Sequence, residues 1–186
     1  MLSGMTRDQV GRLIGAGFGL VFIEANAGAL PSGVGVALRV IGLAAFLGLV
    51  FFGRRRGAQA AETGGEPTGT SFGGRYWLIV VAEVVAVATG LAVINRVLHT
   101  PQATVGWLAL VVGVHFYGLA VAWHRPSLHT LATGMAVCGA LGLVLAFGGA
   151  PAAVVALVAG IAPGLFLLGS VWWSGRAAVA APGRTA

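Results

Sequence analysis

The segment "YWLIVVAEVVAVATGLAVINR", residues 76–96, decides the class of fold. A helix needs about 20 mostly apolar residues to cross the hydrocarbon core of a bilayer. This segment reaches that length with one acidic residue, Glu83, inside it. The next apolar run, "TVGWLALVVGVHFYGLAVAW" (residues 104–123), follows after the short turn "LHTPQA". The two runs therefore predict a pair of antiparallel transmembrane helices.

The whole chain shares this apolar character. Of its 186 residues, 58% are hydrophobic and 9% are charged, and the mean hydropathy is +0.93. Soluble domains carry about 25% charged residues, so this chain has too few to cover a soluble surface. The formal net charge of +6 comes from Arg without any Lys, and the arginines flank apolar runs instead of forming a patch with interleaved aromatic residues. The composition therefore predicts an integral membrane protein with no nucleic-acid partner.

Six apolar runs are long enough to cross a bilayer. They pair into three hairpins around the turns "LPSG", "LHTPQA" and "FGGAP", which predicts an all-α bundle of six transmembrane helices. Gly, Thr, Glu and Pro dominate the segment 53–75, so we expect a flexible loop there. The predicted organisation is a first transmembrane hairpin at 1–52, the loop, a four-helix transmembrane region at 76–173 and a disordered tail at 174–186. The predicted spans cover residues 13–30, 34–52, 76–97, 104–123, 129–147 and 152–173.

The distribution of arginine predicts the orientation, because the short cytoplasmic loops of membrane proteins are enriched in basic residues. If the loop 53–75 is cytoplasmic, nine of the eleven arginines lie on the inner side, and only Arg39 and Arg96 lie in the outer half. Both termini are then cytoplasmic. Tryptophan favours the bilayer interface, and Trp107 falls at the predicted outer boundary. The inner arginines are Arg7, Arg12, Arg54, Arg55, Arg56, Arg75, Arg125, Arg176 and Arg184, and the inner-boundary tryptophans are Trp77, Trp123, Trp172 and Trp173.

Two stretches carry a family resemblance. Residues 75–123, with their "AEVVA" and "GVHFYGLA" segments, and "FGLVFIEANAGALP" (residues 18–31) before them resemble a group of small, uncharacterised membrane proteins of GC-rich bacteria. The resemblance spans most of the membrane region and implies a polytopic membrane protein. It implies no activity.

The stretch "FIEANAGALP", residues 22–31, has two interpretations. As the end of a signal peptide, it would follow a basic start at Arg7 and Arg12 and an apolar core, with "ANA" as the cleavage site. As part of a retained helix, it places the carboxylate of Glu24 inside the bilayer. We favour the retained helix because the hairpin gives Glu24 a partner.

That partner is Arg39. When the first hairpin folds at Pro31, both residues lie about 10 Å below the turn, in the outer half of the bilayer. An unpaired charge there costs about 2.5–3.5 kcal/mol, and a Glu–Arg pair offsets much of this cost. The pair is either a structural link or a site for a cation or proton in a cavity open to the outside. Asn26 and Arg96 lie at similar or shallower depth and are candidates for the same network.

Glu83 lies in the inner half of the third predicted span. Folding the second hairpin near Thr100 brings it level with Tyr117 and within about one turn of His115. These two residues are two apart and point to different faces of their helix, so we expect at most one to meet Glu83. A buried carboxyl group beside an imidazole is suited to proton relay or general acid–base catalysis. The alternative is a neutral carboxyl group that hydrogen-bonds Tyr117 and holds two helices together.

The remaining residues do not predict a metal or a cofactor. A bis-histidine haem needs two ligands at matching depth on different helices, and only His115 lies well inside a span. A metal at His124 and His129 would need a third ligand, and the sequence offers none nearby. Cys138 is the single cysteine. Nucleotide-binding, nucleophile-elbow and zinc-protease motifs are absent from the sequence.

Small residues recur at four-residue spacing in four predicted spans, a pattern that lets membrane helices approach closely. The pattern predicts a compact bundle and offers faces for a homo-oligomer or a membrane partner. In the last span, Pro163 beside Gly164 predicts a kink. The four stripes are Gly11, Gly15 and Gly19; Ala82, Ala86 and Gly90; Ala132, Ala136 and Ala140; and Gly160 and Gly164.

Three functional hypotheses follow from these residues. The first is an integral membrane protein that binds or passes a small solute, ion or proton at its intramembrane Glu, Arg and His residues. The second is a membrane-embedded enzyme that acts on an isoprenoid or lipid, with Glu83 as acid and base, in a lipid-accessible pocket. The third is an accessory subunit of a membrane complex, with no internal cavity.

Overall fold

The computed structural model describes residues 7–62, 74–123 and 127–177, and within these ranges the chain is helical and contains no strand. This confirms the predicted all-α class. The elements are α1 (Arg7–Asn26), a 3-10 turn (Ala27–Ala29), α2 (Ser32–Glu62), α3 (Gly74–Ala92) with a π-helical turn (Val93–Val97), α4 (Ala103–Trp123), α5 (Ser127–Phe147), α6 (Ala152–Ala156), the second π-helical turn (Leu157–Ile161) and α7 (Ala162–Ala177). The last three elements follow one another without a break and form one long helix.

Five helical segments of the described chain are long and apolar enough to cross a bilayer, which is compatible with a multi-pass membrane protein. The remaining predicted span, α1, is a 20-residue helix that is not one of the five, because Arg12, Glu24 and Asn26 lower its hydropathy. The five segments are Ser32–Phe52, Trp77–Val97, Ala103–Val121, Leu128–Phe147 and Ala152–Trp173.

α2 is longer than the sequence predicted. The loop was expected to begin at residue 53, but the helix continues to Glu62. The physical reason is local composition: residues 54–62 are mainly Arg, Ala, Gln and Glu, which favour helix, and the Gly, Thr and Pro of the predicted loop come after them. At the other end of that loop, Gly74 and Arg75 already belong to α3, and residues 63–73 lie outside the described residues. The disordered tail was expected from residue 174, but α7 continues to Ala177, and the residues after 177 lie outside the described ones.

The helices form a central group with two peripheral members. α4 and α5 lie side by side, α1 lies along α7, and α5 joins these two pairs through α7. α2 packs on α1, and α3 packs on α4. Half of the membrane-length window of Ala152–Trp173 is buried, against 11% for α2 and 6% for α3. The predicted first hairpin is therefore not a separate unit, because α1 shares a core with α7.

The helix pairs approach closely where glycine leaves space. A Cβ at Gly113 would lie 2.5 Å from the backbone nitrogen of Ala136, and a Cβ at Gly139 would overlap the backbone of α4. α1 meets α7 in the same way, since a Cβ at Gly19 would lie 2.9 Å from the carbonyl oxygen of Gly164. Several positions of the predicted small-residue stripes are therefore occupied by contacts within the chain.

The second π-helical turn, Leu157–Ile161, lies directly before Pro163. The backbone N–H of Ala162 bonds to the carbonyl of Leu157, five residues back, instead of four. Pro163 has no N–H, and in a regular helix its ring would clash with the carbonyl four residues earlier. The irregularity predicted at Pro163 thus takes the form of a wide turn just before it, with the proline ring fully buried.

The core consists of apolar side chains. The residues of the described chain that are buried include no polar or charged residue. α1 and the last helix build one cluster around Ile23, Ile161 and Leu168. A second cluster joins Phe22 to Met135 on α5. Ionisable groups therefore lie at the margins of the bundle and not along its axis.

Candidate functional site

Glu83 and His115 form the closest contact between ionisable side chains in the described part of the chain. Glu83 Oε2 lies 2.9 Å from His115 Nδ1, which joins α3 to α4. The side chains are 21% and 13% exposed, respectively, so the pair is largely covered. Of the two partners that the sequence left open for Glu83, the structure brings His115 to it.

The contact has the distance of an ion pair but not the direction of a hydrogen bond from the imidazole ring. His115 Nδ1 is buried, and no hydrogen-bond partner among the described residues lies in line with a ring N–H. The same short distance suits a protonated carboxyl group whose O–H points at an unprotonated Nδ1. In the other state with one shared proton, the imidazole ring carries the proton and the carboxyl group is ionised. Both states have no net charge, which suits an apolar setting.

α3 is held against α4 at a second level by Trp107. The indole Nε1–H donates to the carbonyl oxygen of Ala86 at 3.2 Å. Gly90 makes this possible, because a Cβ at that position would overlap the indole ring. Ala86 and Gly90 belong to a predicted small-residue stripe, and here the stripe receives an aromatic side chain. The sequence indicated Trp107 as an interface residue but gave no sign of this bond.

Tyr117 lies on the side of α4 that faces α5. Its hydroxyl is 2.5 Å from Thr133 Oγ1, and Thr133 donates to the carbonyl oxygen of His129 at 2.8 Å. The rings of Tyr117 and His129 lie 5.7 Å apart. The alternative in which Tyr117 hydrogen-bonds Glu83 is therefore wrong, because residues two apart on a helix face different neighbours. The role of Thr133 was missed, since its position on the facing helix is a tertiary property.

Glu24 and Arg39 face each other between α1 and α2, as the folded hairpin predicted. Glu24 Oε2 lies 3.7 Å from Arg39 Nε, and the side chains are 39% and 46% exposed. The guanidinium group also lies against the backbone of Gly28, where a Cβ would come within 3.0 Å of Nη2. The long distance and the exposure make this a looser pair than Glu83–His115.

Asn26 and Arg96 do not join that pair. Asn26 Nδ2 donates to the carbonyl oxygen of Phe22 at 2.8 Å, and its side chain packs against Gly160, where a Cβ would overlap it. Arg96 follows α3, which packs on α4 and away from α1 and α2. It is exposed. Of the four residues predicted to form this network, only Glu24 and Arg39 are in contact. Asn26 faces another side of α1.

Asn26 instead lines a cavity, which we call the outer cavity. Its volume is about 380 Å³, and it lies between α1, the start of α4 and α6. The sequence identified only Asn26 in it, because the other lining residues look like ordinary span ends. The lining residues are Val21, Phe22, Ala25, Asn26, Ala29, Pro101, Gln102, Thr104, Val105, Leu108, Ala152, Val155 and Ala156.

The described residues contain no group of three His, Cys, Asp or Glu side chains placed to hold a metal ion. His115 and Glu83 supply two such side chains, and a third would be needed for a protein-bound zinc. His124 lies outside the described residues.

No protein-family model, curated protein or solved structure matches this chain. A function for the protein therefore rests on the geometry of its own residues, above all on the Glu83–His115 pair.

Proposed function

We propose that the protein is a six-span protein of the bacterial inner membrane that reversibly binds a proton at Glu83–His115. The observation that carries this proposal is the 2.9 Å contact between Glu83 Oε2 and His115 Nδ1. A carboxyl group and an imidazole at this distance can hold one proton between them, on the carboxyl oxygen or on the ring nitrogen. Ionisable residues inside a membrane span are candidates for such a role by default.

The proposed topology has three hairpins with both termini in the cytoplasm. It rests on the arginine distribution of the sequence, and α1 supplies the sixth crossing. α1 has 20 residues, about 30 Å of helix, and it lies along α7, which belongs to one of the five apolar spans. In this orientation Glu83 lies six residues, or about 9 Å, from Trp77 at the inner boundary.

Binding has more support than passage through a single chain. The two ionisable pairs belong to different helix pairs, Glu24–Arg39 to α1 and α2 and Glu83–His115 to α3 and α4. The buried residues of the described chain between them are apolar. A proton or ion that crosses a membrane needs polar groups or water along its whole path, and the apolar core of this bundle does not provide them.

The enzyme hypothesis has less support. It requires a pocket for an isoprenoid or lipid beside Glu83, and the lining of the outer cavity includes neither Glu83 nor His115. The accessory-subunit hypothesis relied on free small-residue faces, and Gly19, Gly90 and Gly164 are occupied by contacts within the chain.

The direct test is infrared difference spectroscopy of the protein in vesicles, titrated between about pH 5 and 8, the range in which imidazole changes charge. We expect a carboxylic C=O band that changes with pH. Glu83→Gln should remove the band, and His115→Asn should shift its frequency, because the carboxyl group loses its hydrogen-bonding partner.

Glu24→Gln is the matched control, since it removes the other carboxylate that lies in a predicted span. It should leave the band in place. A titrating band that survives in Glu83→Gln would contradict proton binding at this pair. A band that is identical in the wild type and in His115→Asn would contradict it as well.

A further inference from the structure

The outer cavity has a chemical character of its own, distinct from both ionisable pairs. Its lining contains no charged residue and three polar ones, Asn26, Gln102 and Thr104, while the others are apolar. A volume of about 380 Å³ falls in the range of about 300–1,000 Å³ that small-molecule sites occupy, and such sites are mostly apolar with a few polar groups. The lining predicts a neutral, largely apolar ligand with a hydrogen-bonding group.

The cavity runs from the surface of the bundle to its core. Val21 at the mouth is 61% exposed, whereas Phe22, Val155 and Ala156 in the wall are 7%, 1% and 4% exposed. Val21 belongs to an apolar helix face, so the mouth opens sideways onto a surface suited to lipid tails. A ligand can therefore enter sideways from the membrane, with the exposed Gln102 at the end of the cavity nearest the membrane surface.

The polar lining residues retain hydrogen-bonding capacity. Gln102 is exposed and makes no hydrogen bond among the described residues, so its amide can both donate and accept. Asn26 uses one N–H on the carbonyl of Phe22, which leaves its second N–H and its oxygen. Thr104 Oγ1 accepts from Asn95 Nδ2 at 3.3 Å, and its own O–H remains a donor. Such uncharged hydrogen-bond donors suit the carbonyl oxygen of an ester group, which accepts hydrogen bonds and carries no charge.

We propose that the outer cavity binds an acyl chain of a membrane glycerolipid, with the ester group of that chain accepting hydrogen bonds from the amide of Gln102 and its polar neighbours. The apolar wall formed by Phe22 and Val155 holds the chain. The charged headgroup stays outside the cavity, at the membrane surface, because the lining offers no charge to pair with it. This site shares no residue with Glu83–His115, so either assignment can fail while the other stands.

A photoreactive lipid tests this site in the full-length protein. The protein is placed in vesicles of phosphatidylethanolamine and phosphatidylglycerol that contain a trace of phosphatidylcholine with a diazirine on one acyl chain. After illumination, labelled peptides are identified by mass spectrometry. We expect labelling at residues 21–29 and 101–108 to exceed that at 77–93, although the span that contains α3 is the least buried of the five apolar spans. Labelling that simply follows exposure would overturn the proposal.

Filling the mouth supplies the matched comparison. Ala25 and Ala152 line the cavity and are exposed. Ala37 and Ala140 are also exposed but do not line it. Ala25→Leu with Ala152→Leu should lower labelling of the lining peptides by about tenfold, because the added side chains occupy the ligand volume. Ala37→Leu with Ala140→Leu should leave it unchanged. Equal labelling in the two double variants would refute acyl-chain binding in the cavity.

Two further measurements test whether the labelling reports a glycerolipid bound in the outer cavity. Gln102→Leu, at an exposed position, should weaken the labelling even if the double variant folds poorly. Native mass spectrometry of the unlabelled protein should show a retained glycerolipid in the wild type that Ala25→Leu with Ala152→Leu loses. A retained adduct of any other mass that disappears in the same variant would overturn the lipid assignment.

Discussion

Gly139 has a hydrogen atom where any other residue would place a carbon against the backbone of Leu110. Gly113 lies at the same interface, and a Cβ there would come within 2.5 Å of the backbone nitrogen of Ala136. Two backbones this close gain dispersion energy along their whole contact, which is the main source of helix association in lipid. The stability of the α4–α5 contact therefore depends on the absence of a side chain at Gly113 and Gly139.

Gly139→Ala tests this dependence at the scale of one residue. We expect the substitution to lower the free energy of unfolding by about 1–3 kcal/mol, the usual cost of forcing an extra carbon into a packed contact. The measurement is the thermal midpoint in mild detergent. The control is Gly17→Ala, because a Cβ at Gly17 meets nothing within 4 Å. It should keep or raise the midpoint, since Ala favours helix over Gly; equal losses in both variants would contradict the packing argument.

The sequence could predict that small residues matter, but not which of them lie at the closest contacts. The four-residue spacing indicated Gly19, Ala136 and Gly164, which do lie at helix contacts. It did not indicate Gly113 or Gly139, because the face that a helix presents is decided by its neighbour as well as by its own sequence. The same reason explains why His115 and Tyr117 could be separated only by the structure.

At the scale of the element, α3 is the helix with the weakest attachment. Only 6% of the membrane-length window of its span is buried. The span is held to α4 by the polar contacts Glu83–His115 and Trp107–Ala86, and by Asn95–Thr104 in the π-helical turn that follows α3. Ile79 adds an apolar contact at Gly118. Because the contacts lie at different levels of the same helix pair, a change at one level should be felt at the other.

Gly90→Ala should therefore disturb the Glu83–His115 pair from a distance. A Cβ at residue 90 would overlap the indole of Trp107 and break its hydrogen bond to Ala86, which is worth about 0.5–1.5 kcal/mol. We expect the carboxylic infrared band of Glu83 to shift in Gly90→Ala. Gly169→Ala is the control, since a Cβ there meets nothing within 4 Å. An unchanged band in Gly90→Ala would mean that the two contacts are independent.

Element boundaries were the weaker part of the sequence prediction. The apolar runs marked where the spans lie, because hydropathy reports on the lipid phase directly. The extension of α2 to Glu62 was missed because hydropathy carries no information on a helix after it leaves the bilayer. The π-helical turn before Pro163 was also missed, since a proline predicts an irregularity but not its hydrogen-bonding pattern.

For the whole molecule, the sequence predicted the all-helical class from composition alone, and the structure adds which helices are central. Charge could indicate orientation but not packing order. The central position of α1, for example, depends on its fit to α7 at Gly19 and Gly164. The outer cavity is likewise a whole-molecule property, because three elements far apart in the chain form its lining.

Cysteine labelling tests the proposed topology at this scale. The background is Cys138→Ala. Ser32→Cys, at the first residue of α2, and Gln102→Cys, directly before α4, should react in intact cells with a membrane-impermeant maleimide. Ser127→Cys, at the start of α5, should react only after the cells are permeabilised. If Ser127→Cys is labelled from outside while the other two are protected, the orientation is the reverse of the one proposed. If Ser32→Cys and Gln102→Cys give opposite results, the hairpin arrangement is excluded.

The π-helical turn Leu157–Ile161 has a consequence for how this chain tolerates changes of length. A π turn contains one residue more than the α-helical turn it replaces, but it rotates the chain by about the same angle. Losing one residue between 157 and 161 would therefore restore regular winding and leave Gly164 and Leu168 facing α1. A deletion after the π turn would instead rotate everything that follows it by about 100°. Among diverging copies of this sequence, single-residue deletions in this helix should therefore be tolerated at 157–161 and selected against at 162–168.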